Sequence, residues 1–276
     1  MDREFRVLRA LEGSGVPVPR AVAMCTDRTV FGAPFLVMEE IPGVPITDGL
    51  PTGYGPGAVG SLGREMMGAL ARIHSVDWER SGLETFGRPD RFLERQVERW
   101  RSQYRSYTVR DLPAFDAVAT WLERNRPEAQ TPGILHGDFH LDNCLWAMDR
   151  PRLLAVIDWE LSTIGDPLLD LGLCLALWGV RPVPTPGLAR IQAVSRVHDA
   201  PDMQELAEQY AEQSGRTITH LAYYLTLALW KLAAILEGAY AQHLAGQLDT
   251  EYARGLRNDV PLLLDEAAAY AGVIAD

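Results

Sequence analysis

Lysine is almost absent from this chain: Lys231 is its single example, and every other cation among the 26 Lys and Arg residues is an arginine. Positive charge is also in the minority, since 37 Asp and Glu leave a net charge of −11 at pH 7. A chain this acidic lacks the basic patch by which proteins grip phosphate backbones, so nucleic acid is not an expected partner. Cysteine is scarce as well. Cys25, Cys144 and Cys174 form no CxxC pair and are odd in number, which fits a reduced, cytoplasmic setting with all three as small buried apolar residues. Long apolar runs are missing too. The two most apolar stretches, 168–180 and 221–236, are broken by Asp170 and Lys231, short of the roughly 20 clean apolar residues of a spanning helix. The charged start Met1-Asp2-Arg3-Glu4 is unlike a secretory leader, and no membrane partner is expected.

What remains is ordinary globular material, 276 residues at 47% hydrophobic and 23% charged, with ample apolar content for a core. Phe5, Leu8 and Leu11 recur at helical spacing over 2–12, where Asp2 can cap the start. Gly13-Ser14-Gly15 stops that helix, and the alternating prolines of 16–19 keep the chain extended. Apolar runs at 21–25 and 34–38, around a polar turn at Asp27-Arg28, read as an antiparallel pair. The proline- and glycine-rich stretch 42–57 is a loop and the best lobe boundary. Helical patterns follow at 58–75, 90–106 and 112–125. Short apolar runs at 133–135, 144–147 and 153–157 then frame a polar loop. Helices resume at 167–178, 201–214, 217–245 and 250–271, interrupted by Pro182, Pro184 and Pro186.

The polar loop carries the chemistry. It reads His136-Gly137-Asp138-Phe139-His140-Leu141-Asp142-Asn143, and beyond the next apolar run comes Ile157-Asp158-Trp159-Glu160. Asp- and Asn-rich loops are ordinarily turns. Two carboxylates and an amide at the ends of buried strands are costly, however, unless a cation meets them. Oxygen donors of this kind suit Mg²⁺, held by one or two carboxylates together with substrate phosphates. Asp138 and Asn143 also stand in the Asp-x-x-x-x-Asn relation of the protein-kinase catalytic loop, in which the Asp accepts the substrate hydroxyl proton and the Asn holds metal.

Three blocks in order, His136-Gly-Asp138-x-x-x-x-Asn143, Ile157-Asp158-Trp159-Glu160 and Gly165-Asp166-Pro167-x-x-Asp170-Leu171-Gly172, resemble the aminoglycoside phosphotransferase and choline kinase-like family. The opening Asp2 to Leu11, followed by Val16-Pro-Val-Pro-Arg20, is most similar to the subgroup related to kinase-like domains of some acyl-CoA dehydrogenases. The resemblance implies an α/β, protein-kinase-like two-lobed fold, with residues 1–45 as a partial N-terminal lobe and 46–276 as a mainly helical C-terminal lobe. It implies Mg²⁺ and ATP or GTP as cofactors and a small hydroxyl-bearing metabolite as acceptor. By position Asp138 becomes the catalytic base, Asn143 and Asp158 the metal ligands, and Glu39 and Ile41 of the 35–41 hinge the adenine contacts. Glu4 becomes the helix glutamate that pairs with a nucleotide-binding lysine. Asp166 and Asp170 brace the catalytic loop, a helix N-cap being an equal reading for Asp166, and His136 is a structural hydrogen-bonder.

In the family a Gly-rich hairpin and a strand lysine precede the helix that carries Glu4. Here three residues do, and Lys231 lies far away in a C-terminal helix. The N-terminal lobe is therefore expected to be truncated, the chain to be a poor kinase, and the uncovered strand pair to favour a homodimer. Other motifs dissolve on inspection. Gly55-Pro-Gly57-Ala-Val-Gly60 follows no strand, so it is a loop rather than a nucleotide motif; His136 and His140 lack the HExxH middle; no GxSxG occurs. Trp178, Trp230, Tyr223 and Tyr224 read as core. Two functions stay open: a Mg²⁺- and nucleotide-dependent small-molecule kinase, and a non-catalytic, pseudokinase-like binding module. For the acceptor, the acid excess of 179–276 suits a cationic aminoglycoside, whereas the subgroup resemblance favours a non-antibiotic hydroxyl compound.

Overall fold

A computed structural model describes residues 1–47, 49–178 and 193–273. Helix α1 (Asp2–Leu11) buries Val7, Leu8 and Leu11. Met1, not Asp2, occupies its N-cap; Asp2 lies in the first turn, where its charge still favours the helix dipole. Strand β1 (Ala21–Cys25) pairs antiparallel with β2 (Phe35–Met38), from Ala21↔Met38 to Cys25↔Phe35. The link between them is more than a turn, because the Asp27 side chain accepts the Thr29 N–H and caps a one-turn helix, α2 (Arg28–Phe31). Apolar side chains of this hairpin face solvent: Val22, Val30, Val37 and Met38 are exposed, and Phe31 is 76% exposed. Cys25 is only half-buried, unlike Cys144 and Cys174, so the expectation of three buried cysteines fails at the one on this open hairpin.

The stretch read as a pure loop contains a two-residue strand, β3 (Val44–Pro45), which pairs with β5 (Cys144–Trp146) through Val44↔Trp146 and Pro45↔Leu145. Beyond it lie α3 (Ala58–Ser75), α4 (Phe92–Tyr107) and α5 (Pro113–Arg124). The strands β4 (Gly133–Leu135), β5 and β6 (Leu153–Val156) fall where the apolar runs placed them, with β5 and β6 antiparallel. An additional strand, β7 (Thr163–Gly165), pairs with β4 through Ile134↔Ile164. Then come α6 (Leu168–Trp178), α7 (Met203–Ser214), α8 (Leu221–Leu244) and α9 (Glu251–Ala271). Pro182, Pro184 and Pro186 lie outside the described residues.

Helix α8 is the pillar of the helical body and packs against α4, α5, α6 and α9. By length and composition it could cross a membrane, yet 67% of its apolar window is buried inside the protein; that makes it a core helix. Its approach to α6 needs a glycine, since a Cβ on Gly172 would lie 2.7 Å from the Tyr224 carbonyl oxygen. Trp178, Trp230, Tyr223 and Tyr224 are all buried. Trp230 stacks on Phe115 at 4.6 Å, and Phe115 on Tyr104 at 3.7 Å, an aromatic column through the core. Val7, Leu8 and Leu11 of α1 belong to the same continuous buried cluster as these helices.

Candidate active site

The loop after β4 is shaped by one glycine and one carboxylate. Gly137 has φ +89°, and a Cβ there would lie 2.4 Å from the Leu161 carbonyl oxygen. Gly137→Ala therefore combines left-handed strain with a backbone clash. We expect a loss of about 1–3 kcal/mol from the conformation alone, read as a lower urea midpoint, with the clash adding to it. Asp170, at the start of α6, accepts the His136 N–H at 2.6 Å and the Gly137 N–H at 3.0 Å. His136 is buried, with Nε2 2.9 Å from the Ile157 carbonyl and its ring 4.6 Å from that of Trp159. Burial pushes its pKa down, so it stays neutral and serves as the structural hydrogen-bonder expected of it. Asp166 settles as a helix cap: it accepts the Leu168 N–H at 3.0 Å. It also accepts the Gln130 N–H and the Tyr224 hydroxyl, both at 2.9 Å. The bracing of the His136–Asn143 loop falls to Asp170.

Asn143 is clasped to Asp138. Its Nδ2 donates to the Asp138 backbone carbonyl at 2.9 Å and to Oδ2 at 3.2 Å, leaving the amide oxygen out of both bonds. The Asn143 carbonyl accepts the Ile157 N–H at 2.9 Å, which sets Asp158 one residue from this clasp. Asp158 is exposed and sits at φ +65°, a conformation that Asp and Asn tolerate better than other non-glycine residues. For Asp138, burial would raise the pKa, but the hydrogen bond from His140 and the positive charge nearby, that of Lys231 included, hold it below the usual carboxylate range. His140 Nε2 is 3.5 Å from Asp138 Oδ2. An ionised carboxylate can act as a proton acceptor.

Glu4 reaches the same region from α1. It is half-buried, accepts a backbone hydrogen bond from Trp159, and has its pKa raised by burial and by the charges of Asp158 and Glu160. Among the described residues no three His, Cys, Asp or Glu side chains converge on one metal-binding point. The Asp158 carboxylate and the Asn143 amide oxygen are nevertheless hard oxygen donors, the kind that could hold Mg²⁺ together with phosphate oxygens. At the hinge, the Glu39 N–H is used by the Arg20 carbonyl and the Ile41 carbonyl by the Gly43 N–H. The groups an adenine would need, the Glu39 carbonyl and the Ile41 N–H, take no part in those bonds.

Lys231, distant in the sequence from the Glu4 helix, stands against the His136–Asn143 loop. From α8 its Nζ donates to the Gly137 carbonyl at 3.0 Å. It lines a small cavity with Asp138, Asp170 and Leu161. It also lines an adjoining cavity of about 600 Å³, walled by Phe86, Phe92, Trp100 and Leu135 and rimmed by Arg3, Arg88, Arg95 and Arg99. Glu160 is the one acidic residue lining that second cavity. Among the described ion pairs none uses these five cations. The acids of the C-terminal helices, which suggested an acidic acceptor pocket, do not line it. Sequence spacing had no means of finding Lys231 beyond one signal, that it is the single lysine in the chain.

The profile of the phosphotransferase enzyme family matches residues 1–208, and the chain belongs to that family, with its mixed α/β, protein-kinase-like fold. Mouse acyl-CoA dehydrogenase family member 10 is 35% identical over 256 residues, 92% of this chain but 24% of that protein. Human acyl-CoA dehydrogenase family member 11 is 34% identical, covering 91% of this chain and 32% of that protein. The chain thus spans a third or less of the length of these curated relatives. A solved structure from Ralstonia eutropha JMP134, described as a candidate aminoglycoside phosphotransferase, is 32% identical with a TM-score of 0.85, covering 98% of this chain and 83% of that one.

Proposed function

We propose that this chain is a Mg²⁺- and nucleotide-dependent phosphotransferase that moves the γ-phosphate of ATP or GTP to a hydroxyl of a small, negatively charged, non-antibiotic molecule. The clasp of Asn143 on Asp138, with Asp158 one residue beyond the Ile157–Asn143 bond, carries the reading. It gathers a proton acceptor and two metal-ligand candidates from two separate loops. In this reading Asp138 orients the acceptor hydroxyl and takes its proton. Asn143 and Asp158 hold Mg²⁺, which neutralises charge on the nucleotide phosphates. Glu39 and Ile41 offer backbone groups to adenine, and Glu4 buttresses the Asp158–Trp159 segment. The protein's work is positioning and charge neutralisation, because phosphoryl transfer asks little covalent chemistry of it. Residues 1–45 then act as the nucleotide-facing lobe and 46–276 as the lobe of catalysis and acceptor binding, in a cytoplasmic protein able to self-associate through the open β1–β2 hairpin.

The cavity supports the acceptor class. Five cations that enter none of the described ion pairs, in a chain of net charge −11, attract a carboxylate- or phosphate-bearing ligand and repel a polycation. Its aromatic walls suit an apolar body. A second reading, a non-catalytic binding module, rests on Glu4: its partner is the Trp159 backbone, and the chain's one lysine is bound at Gly137. Incubation with Mg²⁺ and γ-labelled ATP or GTP, against hydroxy acids, phosphorylated alcohols and kanamycin-type compounds, tests both. Label is expected on the anionic hydroxyl compounds. Label confined to the aminoglycosides overturns the acceptor class, and a chain that binds Mg·nucleotide yet labels nothing is the binding module.

A further inference from the structure

A partly buried lysine that enters none of the described ion pairs is a poor device for stability, because even partial desolvation of an ammonium costs more than one carbonyl returns. Lys231 is such a residue. Its Nζ meets the Gly137 carbonyl at 3.0 Å and lies 5.5 Å from the centre of the Trp100 ring, at the junction of the two cavities beside Asp138. An ammonium has three donors, and Gly137 takes one. The chain uses arginine at every other basic position. Lysine is kept where a compact point charge reaches one residue away from the catalytic carboxylate, a place a broad planar guanidinium would fill differently.

We propose that Lys231 is a catalytic residue whose ammonium contacts the phosphoryl group as it passes from the nucleotide to the acceptor oxygen held at Asp138. The inference rests on the phosphotransferase reading above. In the step, a bond forms between the acceptor oxygen and the γ-phosphorus. The bond from that phosphorus to its bridging oxygen breaks, and the electron pair leaves on the nucleoside diphosphate. The acceptor proton passes to Asp138. Lys231 keeps its protons and supplies fixed positive charge in a partly desolvated site, where such charge acts most strongly.

The test needs no identified acceptor. Calorimetry on the full chain measures binding of Mg·ADP, then the gain in affinity when aluminium fluoride is added as a mimic of the phosphoryl group in flight. Lys231→Met should leave Mg·ADP affinity within twofold and cut the aluminium-fluoride-dependent gain at least tenfold. An unchanged gain overturns the proposal. So does parallel loss of both affinities in a folded variant, which would make Lys231 a support for the loop alone. Lys231→Cys in a Cys25→Ser background, aminoethylated with 2-bromoethylamine to restore an ammonium, guards against misfolding. Recovery of the gain supports the proposal, and its absence with intact Mg·ADP binding overturns it. Failure of the unmodified chain to bind Mg·ADP at all would instead remove the phosphotransferase reading, and this inference with it.

Discussion

Asp138→Ala is expected to lower kcat for phosphotransfer by about 10²–10⁴-fold, the range over which a positioned general base contributes, while Mg·nucleotide affinity stays nearly unchanged. The asymmetry follows from where the carboxylate sits. Asp138 lines the small cavity with Lys231 and Leu161, which the proposed reading makes the acceptor side of the loop. Its bonds to Asn143 Nδ2 concern loop geometry rather than the hinge. Asp158 gives the opposite pattern. Asp158→Asn keeps a residue that tolerates φ +65° and removes one charge from the donor set. Mg·nucleotide affinity should drop roughly 10- to 100-fold or more, at least what a supporting residue of a metal site costs when lost. Kinetics with varied nucleotide and fixed acceptor, paired with direct Mg·ADP binding, separate the two. Equal and mild effects from both substitutions would show that neither residue has the role assigned to it.

The helices of this chain were legible because their apolar residues recur every three or four positions over many turns, as in 58–75, where the expected and observed bounds coincide. Elements built by contacts of another kind were not. Strand β7 is three residues long and exists only through pairing with β4, and β3 only through pairing with β5. Helix α2 depends on one Asp27 side chain. The site divides in the same way. His136 to Asn143 are contiguous, and the pairing of β5 with β6 brings Ile157, next to Asp158, against Asn143. Lys231 and Gly137 are 94 residues apart, and their contact is decided by how α8 packs on α4 and α6. His74 and Tyr210, 136 residues apart and joined by a hydrogen bond beneath the loop, escaped for the same reason. Charge counting could not show which residues line a cavity: the arginines of this one come from α4, the turn before it, and α1.

The largest loss of stability should come from Asp170→Ala. Asp170 is 1% exposed and accepts the two backbone N–H groups that enter the catalytic loop, at 2.6 and 3.0 Å. Its Oδ2 also lies 3.4 Å from His74 Nε2, while His74 Nδ1 is 2.7 Å from the Tyr210 hydroxyl. Burial keeps that imidazole neutral by lowering its pKa. With the tautomer that donates from Nε2, Tyr210 donates to His74 and His74 to Asp170, so every group in the chain is satisfied. Truncation strands two buried N–H groups and the imidazole donor. Each orphaned donor costs about 1–3 kcal/mol, so three of them amount to a large part of a stability of roughly 5–15 kcal/mol. The effect should depend on pH in a definite direction. Burial alone would raise the Asp170 pKa, but the hydrogen bonds from His74 and the Gly137 N–H hold it below the ordinary carboxylate value. A carboxylate whose pKa is depressed on folding stabilises fully above its unfolded pKa of about 3.9, and that stabilisation fades as pH falls through the lower folded value. Urea unfolding at pH 7 should therefore separate wild type from Asp170→Ala by several kcal/mol, and the gap should narrow only on strong acidification. A variant that unfolds at the wild-type midpoint at pH 7, or a gap that widens in acid, would mean that the His136–Asn143 loop is held by something other than Asp170.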